Sequence, residues 1–376
     1  METVRICIFS GSRADYGLLK CLAQEIKKEK VFELKIIASG SHLSMKLGYT
    51  IEEIREDNIS HIEEIDIGID EDHEYDMGKL TGKAIQIYSD KLSSIKPEYI
   101  ILLGDRYEAL AIALAAHYKR IKVIHLHGGE STQGALDDAT RNAITQLSSI
   151  HFTSAERHRM KVQEMVGESS HVEMIGPMCI DNIKNVKVVT KEEFENKTEY
   201  RFAKKNILMT YHPVTNESDN GIHGLNELLK AISEERFKEQ NFLITSPNAD
   251  NDGRKFLKII EDFAITKDNV YRVNSLGELL YLNALLKFDL VIGNSSSGLI
   301  EAPMMKIPVI NIGNRQKGRE AFGKVINVGC EKKKIVETMT EILEERAYSQ
   351  VEVLESISML ESPAKQIVRY LKKITL

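Results

Sequence analysis

A series of short clusters in this sequence gathers ionisable, hydroxyl and small residues, each directly after an apolar run. In Ser10–Gly11–Ser12–Arg13–Ala14–Asp15 the small residues let backbone approach a ligand, and Arg13 adds planar charge suited to phosphate oxygens. A helix starting there would favour an anion at its N-terminus. A plain turn with a solvated arginine is the other reading. In Gly104–Asp105–Arg106–Tyr107–Glu108, Asp105 serves either as a helix cap or as a proton-transfer carboxylate. Arg106 then either pairs with it or reaches the ligand. His125–Leu126–His127–Gly128–Gly129–Glu130 sets two histidines on one face of a strand end, and Glu130 projects to the same side after the Gly-Gly turn. No third ligand follows at ordinary spacing, so no metal is expected. Asp137, Asp138 and Arg141 open a later helix, one aspartate as its cap and the other free.

The second half adds a different chemistry. Tyr211–His212–Pro213–Val214–Thr215 places His212 at a strand end, as a satisfied loop residue or a functional one. Asn248, within Ser246–Pro247–Asn248–Ala249–Asp250, could bond a base or sugar edge. In Gly293–Asn294–Ser295–Ser296–Ser297–Gly298–Leu299–Ile300–Glu301, Ser295, Ser296 and N–H groups at a helix start offer a pyrophosphate seat. Glu301, one turn in, suits ribose hydroxyls. Arg315, within Asn314–Arg319, adds positive charge. Donors and cations in one half, carboxylates and a histidine in the other, describe an enzyme acting on a nucleotide-activated molecule.

The elements that must hold these clusters follow from patterning. Val4–Phe9, Leu34–Ala38, Tyr99–Leu103 and Val123–Leu126 read as strands buried on both faces, separated by helical stretches Leu18–Glu29, Lys79–Ser94, Tyr107–His117 and Asp138–Leu147. Such alternation implies right-handed crossovers and a parallel sheet. The pattern continues through a strand at His151–Thr153 and a helix near Ala155–Val166, then breaks at Ile175–Gly176–Pro177, and the charged stretch 182–205 reads as a linker. It then repeats, with strands at Asn206–Tyr211, Asn241–Thr245, Val270–Val273, Leu290–Ile292 and Pro308–Ile312. The expectation is an α/β protein of two Rossmann-like doubly wound domains, residues 1–177 and 178–362, with a last helix at 363–376. In open parallel sheets ligands sit beyond the carboxyl ends of strands, where every cluster falls.

Composition narrows the partners. The 376 residues carry 50 Lys+Arg against 56 Asp+Glu, a net −6, which leaves no basic footprint for nucleic acid. Four scattered cysteines, no leader pattern and no run of about 18 apolar residues lead to the expectation of a reduced, cytoplasmic protein without a membrane partner. A homo-oligomer, dimer or tetramer, is expected. The helical faces near 79–94 and 107–117 are one candidate surface for it, with core packing an equal account of them.

SGSRADYG, GDRYEALA, HLHGGE, LDDATRNAIT, YHPVT, SPNAD, GNSSSGLIE and NIGNRQKGRE, in that order, make the chain similar to the UDP-N-acetylglucosamine 2-epimerase family, and within it to the hydrolysing branch. The resemblance implies a glycosyltransferase-B-like fold closing on a UDP-sugar in the cleft between domains, with the C-terminal helix packing back on the first. It implies that Arg13, His212, Asn248, Ser295, Ser296, Glu301 and Arg315 hold UDP, and that Asp105, Arg106 and Asp137 fall at active-site positions. Where several relatives carry a glutamate, this chain has His127. Either His127 takes that acid–base role or Glu130 supplies the carboxylate. No nicotinamide, metal or other cofactor is implied.

The implied chemistry converts UDP-N-acetylglucosamine and water to N-acetylmannosamine and UDP, through a glycal, for sialic acid synthesis. Four alternatives stand beside it. The same reaction on UDP-N,N'-diacetylbacillosamine changes only the sugar. A non-hydrolysing epimerase would return UDP to C1. A retaining glycosyltransferase would need an acceptor, and a silent UDP-sugar sensor would bind without exchange at C2.

Overall fold

The structure, a computed structural model, describes residues 3–71, 76–131, 137–168, 171–214, 219–247, 253–344 and 350–375. The chain divides into two compact units: residues 1–182 with 361–376, and residues 183–360.

Seven strands form the first sheet: β1 (Val4–Ser10), β2 (Phe32–Ser39), β3 (His61–Ile65), β4 (Tyr99–Leu103), β5 (Lys122–Leu126), β6 (Ile150–Thr153) and β7 (His171–Met174). Their order is β3-β2-β1-β4-β5-β6-β7, and every pair is parallel. The period-two alternation of a strand sends Ile6 and Ile8 to one face, against helix Arg13–Lys27 and the C-terminal helix Pro363–Thr375. Cys7 and Phe9 go to the other face, against helices Met77–Ile95 and Tyr107–Tyr118. Tyr107–Tyr118 is alanine-rich and buries Ala109, Ala111, Ile112, Ala113, Ala115 and Ala116, so its apolar faces belong to the core rather than to a free surface.

The second sheet has six strands: β8 (Lys205–Thr210), β9 (Gln240–Thr245), β10 (Val270–Val273), β11 (Leu290–Gly293), β12 (Val309–Ile312) and β13 (Val325–Val328). They run in the order β10-β9-β8-β11-β12-β13, again all parallel. Both sheets reverse strand order once, at β1/β4 and at β8/β11. Such reversals open a crevice beyond the strand ends.

Two sequence expectations shift. The division falls at Asn182–Ile183, not at Pro177, because Met178 is buried in the first unit's core and Asp181 accepts the Ala364 N–H at 2.8 Å. The stretch 182–205 is not an open linker. Helix Lys191–Thr198 carries a reciprocal Thr190–Glu193 capping box, and Phe194, Tyr200, Phe202 and Phe288 form an aromatic cluster. Among the described residues, no helix is long and apolar enough to cross a membrane.

Candidate active site

In the first unit the candidate residues gather at the ends of β1, β4 and β5. Ser12 caps helix Arg13–Lys27, its hydroxyl accepting the Asp15 N–H at 3.3 Å. The Asp15 carboxylate turns back to accept the Gly11 N–H at 3.2 Å. Ser10 Oγ lies 2.8 Å from His42 Nε2, and Ser41 donates twice to the Gly11 carbonyl. Arg13 is largely exposed, 3.8 Å from Glu53.

Asp105 does not cap the next helix. Arg106 occupies the cap position without a side-chain bond, and Asp105 instead accepts a short bond from Arg141 Nη2. Nor does Arg106 pair with Asp105. Its Nη2 donates to the fully buried Glu108 at 2.9 Å, and its Nε lies 3.9 Å from Asp15.

Arg141 knits the rest together. Only 4% exposed, it also donates to the His127 carbonyl at 3.0 Å and lies 3.9 Å from Glu130. His127 sits in the left-handed region, at φ 63°. Its Nε2 accepts the Met178 N–H at 3.1 Å, so in the neutral ring the proton is on Nδ1, facing Glu130 at 3.2 Å. Burial lowers the His127 pKa against the pull of Glu130. Burial alone would raise that of Glu130, but His127, Arg141 and the Ser154 hydroxyl, 2.6 Å away, hold it below the usual range. His125 bonds Gly104 O and Thr145 and is pushed down to about 3 by burial. Its nitrogens are thus engaged away from any shared site with His127. Asp137 is the exposed first residue of helix Asp137–Leu147.

In the second unit Asn294 joins the ends of β8 and β11. It accepts the His212 N–H at 2.7 Å and donates to the His212 carbonyl at 2.8 Å. Arg315 and Gln316 both donate to the Asn294 carbonyl, at 3.1 and 2.7 Å. Burial, with Arg315 nearby, lowers the His212 pKa to about 4, leaving a neutral ring. The serine segment departs from expectation. Ser295 precedes a 3-10 turn at Ser296–Gly298 and only a four-residue helix, Glu301–Met304. So short a helix has little dipole, and the positive charge here comes from Arg315. Glu301 opens that helix rather than lying one turn into it. Its Oε2 is buried without a hydrogen-bond partner among the described residues, and burial raises its pKa. Asn248 lies outside the described residues.

Arg13, Arg106, Asp105, His127 and Glu130 therefore stand at the β1/β4/β5 end of one unit, and His212, Ser295, Ser296 and Arg315 at the β8/β11/β12 end of the other. Arg141, Glu108, Asp15 and Asn294 are the residues that sequence reasoning underused. Arg141 shares the buried face of its helix with Ile144 and Thr145, and that spacing was its only signal. Among the described residues no group of three metal-ligating side chains occurs.

One pH effect follows. Burial pushes the Asp15 carboxyl up to about 6 from 3.8, with Arg106 opposing. Between those values the folded state holds a proton that the unfolded chain has lost, so this group's contribution to stability falls as pH rises through that window. Asp15→Asn, which keeps the oxygen facing Gly11, is expected to raise the melting temperature at pH 8 and to change nothing at pH 3.5. Matched melts at the two pH values check this.

Two parallel α/β units, each reversing its strand order once, define a glycosyltransferase-B-like fold. The chain belongs to the UDP-N-acetylglucosamine 2-epimerase family, whose profile it matches over residues 24–372. It is 35% identical over 87% of its length to the GDP/UDP-N,N'-diacetylbacillosamine 2-epimerase (hydrolyzing) of Campylobacter jejuni, covering 85% of that protein. It is 31% identical to polysialic acid biosynthesis protein P7 of Escherichia coli, with 98% and 93% covered. The crystal structure of UDP-GlcNAc 2-epimerase from Neisseria meningitidis bound to UDP-GlcNAc superposes with a TM-score of 0.79 at 22% identity. That match covers 98% of this chain and all of the other.

Proposed function

We propose that this chain hydrolyses a UDP-linked 2-acetamido hexose with inversion at C2, taking UDP-N-acetylglucosamine and water to N-acetylmannosamine and UDP. The observation that carries the reading is the likeness, across nearly the whole chain, to hydrolysing 2-epimerases. The two strand-end clusters supply the groups such a reaction needs.

The C2 proton is barely acidic until the C1–O bond to UDP breaks and positive charge develops at C1. Arg315, Ser295 and Ser296 would hold the departing diphosphate, with the neutral His212 beside them. Glu301, whose buried Oε2 has no hydrogen-bond partner among the described residues, would take the ribose hydroxyls. A first-unit carboxylate, Asp105 or Asp137, takes the C2 proton, leaving a glycal. Water then adds oxygen to C1 while C2 receives a proton on its opposite face. His127 and Glu130, 3.2 Å apart, act as one proton-holding pair in that exchange.

A second substrate, UDP-N,N'-diacetylbacillosamine, is favoured by a specific observation. Two of the relatives, at 35% and 31% identity, are named for that sugar. Proton NMR in deuterated water, with both UDP-sugars offered side by side and a chelator present, tests the proposal. The expected result is free C2-inverted sugar carrying deuterium at C2, together with UDP. UDP release without inversion, or no release from either sugar, would remove it.

A further inference from the structure

Glu108 is the least expected charge in the first unit. It sits in the first turn of helix Tyr107–Tyr118 with a side-chain exposure of 0%, packed under Gly11 and Gly40. A carboxylate there is costly to desolvate, and packing alone would be served as well by an apolar side chain. Its surroundings are shaped around it. Gly40 lies at φ +60°, and a Cβ there would meet Glu108 Oε1 at 2.9 Å and the Gly11 carbonyl at 2.7 Å. The loop after β2 therefore passes over the carboxylate only as glycine.

The partner differs from the anchor. Arg106, whose Nη2 meets Glu108 Oε1 at 2.9 Å, is 40% exposed and lies beside Asp15 in the turn that ends β1. The pair thus crosses the boundary of the unit, with the anion inside and the cation's free edge at the mouth of the β1/β4 reversal. An arginine left alone loses rotamer freedom when a ligand fixes it. One already gripped from below has lost much of that freedom in advance.

We infer that Glu108 is a positioning residue that holds Arg106 aimed at the anionic part of the substrate, with Gly40 giving it the room to do so. This rests on the reading of the chain as a UDP-sugar enzyme. The charge argument gives the test a sign. Deleting a nearby negative charge should by itself tighten the grip on an anion, whereas losing the aim of Arg106 should loosen it.

Glu108→Gln and the apolar Glu108→Leu are compared with the whole wild-type protein for KM, kcat, melting temperature and UDP affinity by calorimetry. The expected result is a KM for the UDP-sugar and a Kd for UDP both raised roughly tenfold, about 1.4 kcal/mol, with kcat within about threefold of wild type. Both constants unchanged or lowered, whatever the melting temperature does, would overturn the proposal. If Glu108→Leu does not fold, Glu108→Gln is judged by the same two constants. If the wild type binds UDP but turns over no UDP-sugar, the functional reading fails, and the UDP Kd values still decide the role of Glu108. A wild type that binds no UDP overturns both.

Discussion

Replacing Asp105 with asparagine is expected to lower kcat by about 10²- to 10⁴-fold, the usual span for losing a general acid or base, while UDP affinity stays within about threefold of wild type. Asparagine keeps the shape and an oxygen able to accept from Arg141, but it has neither the charge nor the basicity to hold a carbon-bound proton. Arg141 is buried and also serves His127 and Glu130, so a thermal melt must accompany the kinetics to separate lost chemistry from a loosened scaffold. Asp137→Asn is measured beside it. That residue is exposed at the start of its helix, and its loss should leave the melt unmoved. UDP-sugar turnover at the wild-type rate in both variants would end their assignment as acid–base groups.

Gly293→Ala should be the most destructive single methyl in the second unit. Gly293 ends β11 at φ +140°, and an added Cβ would stand 1.9 Å from the Thr210 carbonyl oxygen. That neighbour cannot yield cheaply. Thr210 is paired with Gly293 in the ladder, and its oxygen also accepts the Asn294 N–H at 3.1 Å. A backbone clash together with an unfavourable φ belongs with the rare substitutions that cost more than about 4 kcal/mol. The expected outcome is a sharply lowered melting temperature, or insoluble protein, and lost UDP binding. Gly329→Ala is the control: nothing lies within 4 Å of its added Cβ, and its melt should stay near wild type. Equal melting curves for the two variants would refute this account of the β8/β11 junction.

How much was legible beforehand follows from burial. Central strands such as Tyr99–Leu103, buried at every residue, announce themselves as continuous apolar runs. The three unread strands, β3, β7 and β13, are all at sheet edges. His61–Ile65 and His171–Met174 carry charged and exposed residues, because an edge has one neighbour and less to bury. In the site, residue types and strand-end positions could be read, but pairings could not. Nothing in Gly-Asp-Arg-Tyr-Glu says that Arg106 turns to Glu108 rather than Asp105, since that depends on Arg141 arriving from 36 residues away. The serine segment misled because hydroxyl-rich sequence after a strand reads as a helix start, while Pro303 and the close-packed Gly298 leave only a single turn.

Asn294 has a consequence for how a guest is received. Where strand order reverses, neighbouring strands part and their last peptide groups would ordinarily hang loose. By bonding both the N–H and the carbonyl of His212, this one amide imitates a further rung of the ladder. The rim is thus set in advance, and under the proposed function a visiting UDP-sugar need not stiffen its peptide groups itself.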